Sequence, residues 1–242
     1  MKTTFLLLCI FILTVTRALA QDKTDRIDRN IGLTKLAEQV FLIQTSYACN
    51  GNLDCNHLLI LDQNEVVLVN TPARDSMTVV LLQAIKKKFG KKVTRVLVSH
   101  FHDDSSGGLN ETARRGIISY SLDKTRDLLL PEHKSIDVVF SDSLSVQLPT
   151  TRLNLFFLGA GHSVDNSLVW LPEEKILFGG CLLKSLQARA IGNIQDADLQ
   201  AWPETVQKVK TKFFGAKIVI PGHLVVGDTS IFSHTIKILE TQ

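Results

Sequence analysis

The chain has 242 residues, of which 45% are hydrophobic and 21% charged, with a formal net charge of +3. It is long and apolar enough to bury a sizeable core in one large domain. Its charge balance argues against nucleic acid or an anionic membrane as an obligatory partner.

The first twenty residues read as a secretion signal peptide. Met1-Lys2 is a short basic start, 5–15 is an apolar run, and Ala18-Leu19-Ala20 is an A-x-A cleavage site before Gln21. The run is too short to span a bilayer comfortably. We expect a periplasmic protein, free of the membrane once the leader is cut, with a single domain over 21–242.

Cys9 leaves with the leader, and Cys49, Cys55 and Cys181 remain. An odd number leaves at least one thiol unpaired. Cys49 and Cys55 flank Asn-Gly-Asn-Leu-Asp, so a disulfide can cross that loop if the Cα atoms come within about 7 Å; the sequence leaves this open. An unpaired Cys181 in an oxidising compartment calls for a reason, and metal ligation is one.

After a polar lead-in, 40–45, 58–61 and 66–69 read as strands of a meander. Met77, Val80, Leu81, Ala84, Ile85 and Phe89 recur at helical spacing, with Asp75 or Ser76 as N-cap and Gly90 past the end. The lysines at 86–88, 91 and 92 suit the negative end of that helix dipole and read as a solvated face. A strand over 93–98 follows, then short helices over 110–115 and 122–130 around a strand at 117–119. Strands at 138–140, 144–148, 153–158, 167–171, 175–178 and 216–220 alternate with helices at 202–214 and 231–239. Strand runs followed by helices, twice over, suggest two sheets packed face to face with helices outside.

Four strand ends carry the chemistry. The strand at 93–98 delivers Ser99-His100-Phe101-His102-Asp103-Asp104-Ser105-Ser106-Gly107-Gly108. In extended chain His100 and His102 project to one side, and Asp104 joins them if the backbone stays extended. Later strand ends deliver Gly161-His162, Gly179-Gly180-Cys181 and Pro221-Gly222-His223. Imidazole, carboxylate and thiolate together are zinc ligands.

These motifs, with Lys184 after Cys181 and the pair Gly192-Asn193, resemble the metallo-β-lactamase superfamily and within it subclass B1. The match runs over essentially all of 21–242. The resemblance implies an αββα sandwich of two mixed β-sheets with two zinc ions in a groove at its rim. His100, His102 and His162 would hold one ion, and Asp104, Cys181 and His223 the other. It implies an exported hydrolase that opens the amide ring of β-lactam antibiotics with a zinc-bound hydroxide, and so confers resistance. Asp104 would orient the nucleophile, Asn193 would assist at the oxyanion, and Lys184 would pair with the substrate carboxylate. We expect a monomer with a small-molecule substrate and no nucleic-acid partner.

Hydrolases of thioesters, lactones or phosphodiesters in the same superfamily are the alternative. They usually carry histidine after the motif aspartate and a bridging aspartate at the cysteine position. Ser105 and Cys181 depart from that pattern. A zinc-storage or zinc-sensing protein is a third reading, disfavoured by Lys184. The loop over 47–55 corresponds to the family's mobile flap but is polar, and a bridged loop would be stiffer. His57 reads as a loop histidine, His133 and His234 as ordinary polar residues, and Trp170 and Trp202 as core.

Overall fold

A computed structural model describes residues 24–241, so the expected signal peptide lies outside the described residues. The polar lead-in is in fact a hairpin, β1 (Asp25–Asp28) and β2 (Ile31–Ala37). Ile31 and Leu33 of β2 are buried in the apolar layer beneath the first helix. The charged stretch before them masks that alternation in the sequence.

One sheet has eight strands in chain order: β1, β2, β3 (Val40–Thr45), β4 (Cys55–Asp62), β5 (Glu65–Val69), β6 (Arg95–Leu97), β7 (Ile118–Leu122) and β8 (Val138–Phe140). Strands β1 to β5 are antiparallel, and β5 to β8 are parallel. Parallel neighbours require crossovers. These are α1 (Asp75–Phe89), the pair α2 (Asp103–Ser106) and α3 (Leu109–Arg114), and α4 (Asp123–Leu129). The second sheet runs in the order β13 (Ile218–Pro221), β12 (Ile176–Gly180), β11 (Ser167–Leu171), β10 (Arg152–Phe157) and β9 (Ser143–Gln147). Its one parallel pair, β12 with β13, is joined through α5 (Trp202–Lys212), and α6 (Ser230–Leu239) follows.

Three apolar layers hold this together. Leu42, Leu58, Ile60 and Val69 of the first sheet meet Leu155, Val169, Phe178 and Ile220 of the second between the sheets. Leu59, Val66 and Leu68 face outward onto Leu81 and Ile85 of α1. Leu177 and Val219 face Val206, Val209, Ile231 and Phe232 of α5 and α6. Strand alternation thus feeds both faces of each sheet, and the result is the four-layer αββα sandwich.

Several boundaries shift for physical reasons. Helix α1 begins one residue earlier than expected, with Arg74 in the cap position and no side-chain cap. Asp75 instead accepts the Glu111 backbone N–H at 2.9 Å and pairs with Arg114, tying α1 to α3. Pro131 does not stop α4 abruptly but sits in a 3-10 turn, Leu130–Glu132. Among the described residues, no helix is long and apolar enough to cross a membrane.

Candidate metal centre

The site lies where strands of both sheets end. Beyond β6 the chain reaches His100 and His102 and then winds into α2 rather than staying extended. The condition for Asp104 to share the parity of the two histidines, an extended backbone, is therefore not met. The helical turn brings the Asp104 carboxylate back instead, with Oδ1 3.4 Å from His100 Nε2. Glycine at 108 is required by packing, because a Cβ there would overlap Thr78 Oγ1 of α1. At the other strand ends, Gly180 turns with φ of 55° and leads to Cys181. A Cβ on Gly222 would overlap Cys181 Sγ, so a bare backbone lets β13 place His223 beside the thiol.

Two donor groups result. One ligand atom each of His100, His102 and His162 lie within 4.8 Å of one another, and so do those of His100, Asp104 and Cys181. His102 Nδ1 is 3.1 Å from His162 Nε2. Cys181 Sγ donates to Asp104 Oδ2 at 3.1 Å, and His223 Nε2 lies 3.0 Å from the same oxygen. His100 Nε2 is buried and has no hydrogen-bond partner. Even with the Asp104 carboxylate 3.4 Å away, this buried nitrogen makes no hydrogen bond, an arrangement that is costly unless a cation takes it. The nitrogen, oxygen and sulfur donors fit zinc.

The electrostatics are those of a tight ionic cluster. Burial works against the charge on Asp104, but His100 and His223 outweigh it and hold the carboxyl well below its usual range. Burial likewise opposes protonation of His100, yet Asp104 and Cys181 lift it to about 10. His162 goes the other way: burial, then the neighbouring His100, Lys184 and His102, push it down to about 2. Despite burial and Asp104, His223 and His100 lower the Cys181 thiol.

A supporting layer that the sequence did not reveal fixes which nitrogen faces the centre. Asp196 Oδ2 lies 2.9 Å from His102 Nε2. The Asp54 carbonyl accepts from His223 Nδ1 at 3.0 Å, leaving Nε2 to face Asp104. Ser99 Oγ lies 3.3 Å from His100 Nδ1, and Asn70 holds both Ser99 and Ser105 through its amide. No spacing rule marks Asn70, Asp54 or Asp196, since each arrives from a separate loop or strand end.

Residues 50–223 match the sequence profile described as the metallo-beta-lactamase superfamily. The chain belongs to this superfamily. It is 39% identical to a protein named metallo-beta-lactamase type 2 from Bacteroides fragilis, over 99% of this chain and 96% of that one. A protein of the same name from Pseudomonas aeruginosa is 32% identical over 97% and 92%. Among solved structures, a metallo-beta-lactamase from Pontibacter korlensis superposes with a TM-score of 0.83 at 34% identity, over 88% of this chain and 100% of that one. The subclass B1 resemblance of the motifs and the metallo-β-lactamase fold agree with these relatives.

His102, Asp104, His162, Cys181 and His223 open into a cleft of about 480 Å³, which Tyr47, Asp54, Lys184 and Asn193 also line, with His100 buried beneath it. Lys184 is partly buried, with Nζ 5.1 Å from the centre of the Trp202 ring, and burial lowers its pKa. Asn193 is exposed after Gly192, and its Oδ1 accepts the Gln195 N–H at 3.1 Å, which leaves its amide N–H₂ for the cleft.

The flap is not bridged. Cys49, Cys55 and Cys181 are all free thiols. Cys49 packs toward the layer under α1, whereas Cys55 is buried with Sγ 3.7 Å from His223 Nδ1, and burial pushes its pKa up to about 11. Hydrogen bonds hold the loop instead: Arg26 to the Gly51 carbonyl, Gly51 N–H to Asn30, and Tyr47 N–H to Asp54. His57 is not a loop histidine. It lies in β4, fully buried, 2.8 Å from Thr45 Oγ1, and burial lowers it to about 4. Trp202 is fully buried and donates to the Leu182 carbonyl, and Trp170 packs on Phe213. His234 bonds the Ala188 carbonyl, and His133 ends a 3-10 turn in the left-handed region.

Proposed function

We propose that this chain is an exported, periplasmic di-zinc hydrolase that opens β-lactam rings and thereby confers antibiotic resistance. The observation that carries the reading is the convergence of two donor groups, sharing His100, on an open cleft with a lysine in its wall. The names of the relatives from Bacteroides fragilis and Pseudomonas aeruginosa support the substrate class. The leader-like stretch over 1–20 supports export, and the absence of a nucleic-acid partner suits the charge balance.

His100, His102 and His162 would hold one zinc, and Asp104, Cys181 and His223 the second. When bound, zinc supplies a water-derived nucleophile at neutral pH and Lewis-acid polarisation of the amide carbonyl. Three protein donors per ion leave room for substrate, as in catalytic rather than structural sites. Asp104, held ionised, offers a carboxylate oxygen to accept and orient the nucleophile's proton. Lys184 pairs with the substrate carboxylate, and the free Asn193 N–H₂ donates toward the developing oxyanion. The tethered flap offers Tyr47 as its one large side chain over the cleft. Ser105 and Cys181, in place of a histidine and a bridging aspartate, count against thioester, lactone or phosphodiester hydrolysis.

The test is zinc content together with hydrolysis of penicillins, cephalosporins and carbapenems, with and without chelator. Two bound zinc ions with no ring opening of any β-lactam would overturn the activity.

A further inference from the structure

The lysines near the end of α1 fit its dipole, and taken alone they are a solvated face. The tertiary structure adds what the dipole does not require. Lys92 from the loop before β6 and Arg115 from the end of α3 join Lys86 and Lys87 around a cavity of about 490 Å³. Its floor is Leu82, Val93 and Ile117, all buried. Three separate segments therefore bring cations to the rim of one apolar concavity.

Few carboxylates balance them. Glu111 holds Arg114 and Arg115, and Asp25 holds Lys88 at 2.6 Å. Among the described residues, Lys86, Lys87, Lys91 and Lys92 have no carboxylate in ion-pair reach; Lys86 bonds only the Gly90 carbonyl. A cationic rim complements the phosphates of an anionic lipid surface.

We propose that the face bearing Lys86, Lys87, Lys91 and Lys92 docks on an anionic phospholipid surface, with lipid phosphates held at the cavity rim. The cavity shares no lining residue with the metal cleft. The small net charge is no obstacle, because the attraction is local and acts within a Debye length. The proposal does not depend on the catalytic reading.

The experiment is co-sedimentation of the zinc-loaded, leaderless protein with vesicles of phosphatidylglycerol in phosphatidylcholine, against phosphatidylcholine alone. Binding to the anionic vesicles is expected, and high salt should abolish it. Each basic residue near such a surface strengthens binding about five-fold, so Lys87→Glu with Lys92→Glu should weaken it by about 25-fold or more. Lys208→Glu with Lys210→Glu, on α5, removes the same charge elsewhere and should leave binding nearly intact. Thermal melting and zinc content check that both variants fold. No binding at low salt, equal binding to neutral vesicles, or equal loss in the two double variants would each overturn the proposal.

Discussion

Asp196 Oδ2 sits 2.9 Å from His102 Nε2, on the side of the ring away from the Nδ1 that faces His162. A carboxylate there fixes the tautomer and makes the other nitrogen a better ligand. Replacing Asp196 with alanine should weaken zinc affinity about 10- to 100-fold. Competition with a chromophoric chelator measures this. Hydrolysis should recover in excess zinc, and an unchanged affinity would remove Asp196 from any positioning role.

Cys181 donates to Asp104, and His223 and His100 lower its thiol against burial. Cys181→Ser should lower zinc content from about two ions per chain toward one, the number expected if each donor group holds one ion. Native mass spectrometry reads this directly, independent of turnover. Full occupancy at limiting zinc would show that the thiol is not a ligand.

Lys184 presents a partly desolvated ammonium in the cleft wall. A charge-assisted bond of about 1.5–3 kcal/mol to the substrate carboxylate predicts a KM raised about ten-fold or more in Lys184→Ala. The loss should vanish for substrates whose carboxylate is esterified. A KM that does not move for free acids would make the lysine a packing partner of Trp202.

Asp62 lies far from this chemistry, at the end of β4, and is fully buried. Its carboxylate accepts from Thr150 N–H, Thr150 Oγ1 and Thr151 N–H at 2.7–2.9 Å. Burial alone would raise its pKa, but these bonds more than compensate and lower it. The native carboxyl thus binds a proton less readily than the unfolded one. Its stabilising contribution is complete above the ordinary aspartate pKa of about 3.9 and fades as the pH falls through the native value. Asp62→Ala should cost about 1.5–3 kcal/mol at neutral pH, seen as a lower urea midpoint. The gap to the wild type should narrow in acid; a constant gap would assign the cost to packing alone.

Much of the architecture was legible because the chain is patterned strongly. The 3.6-residue period over Met77 to Phe89 and the apolar runs at 40–45 and 66–69 gave α1, β3 and β5 almost to the residue. The hairpin of β1 and β2 was not legible, since Ile31 and Leu33 show their purpose only once α1 covers them. His57 was misplaced for a related reason: β4 extends back to Cys55 through polar residues that only pairing with β3 makes strand.

For the site, the residue types and their placement at strand ends were written in the sequence, because glycines and short apolar strands mark those junctions locally. Which donors meet, and through which nitrogen, was decided by tertiary structure. Asp104 reaches His100 because α2 coils, and Cys181 meets His223 because Gly222 lets two parallel strands end side by side. Asp196, Asn70 and Asp54 enter through contacts between segments far apart in the chain. Local chemistry is carried by the order of residues. Distances between side chains depend on how the two sheets pack, and no local pattern encodes them.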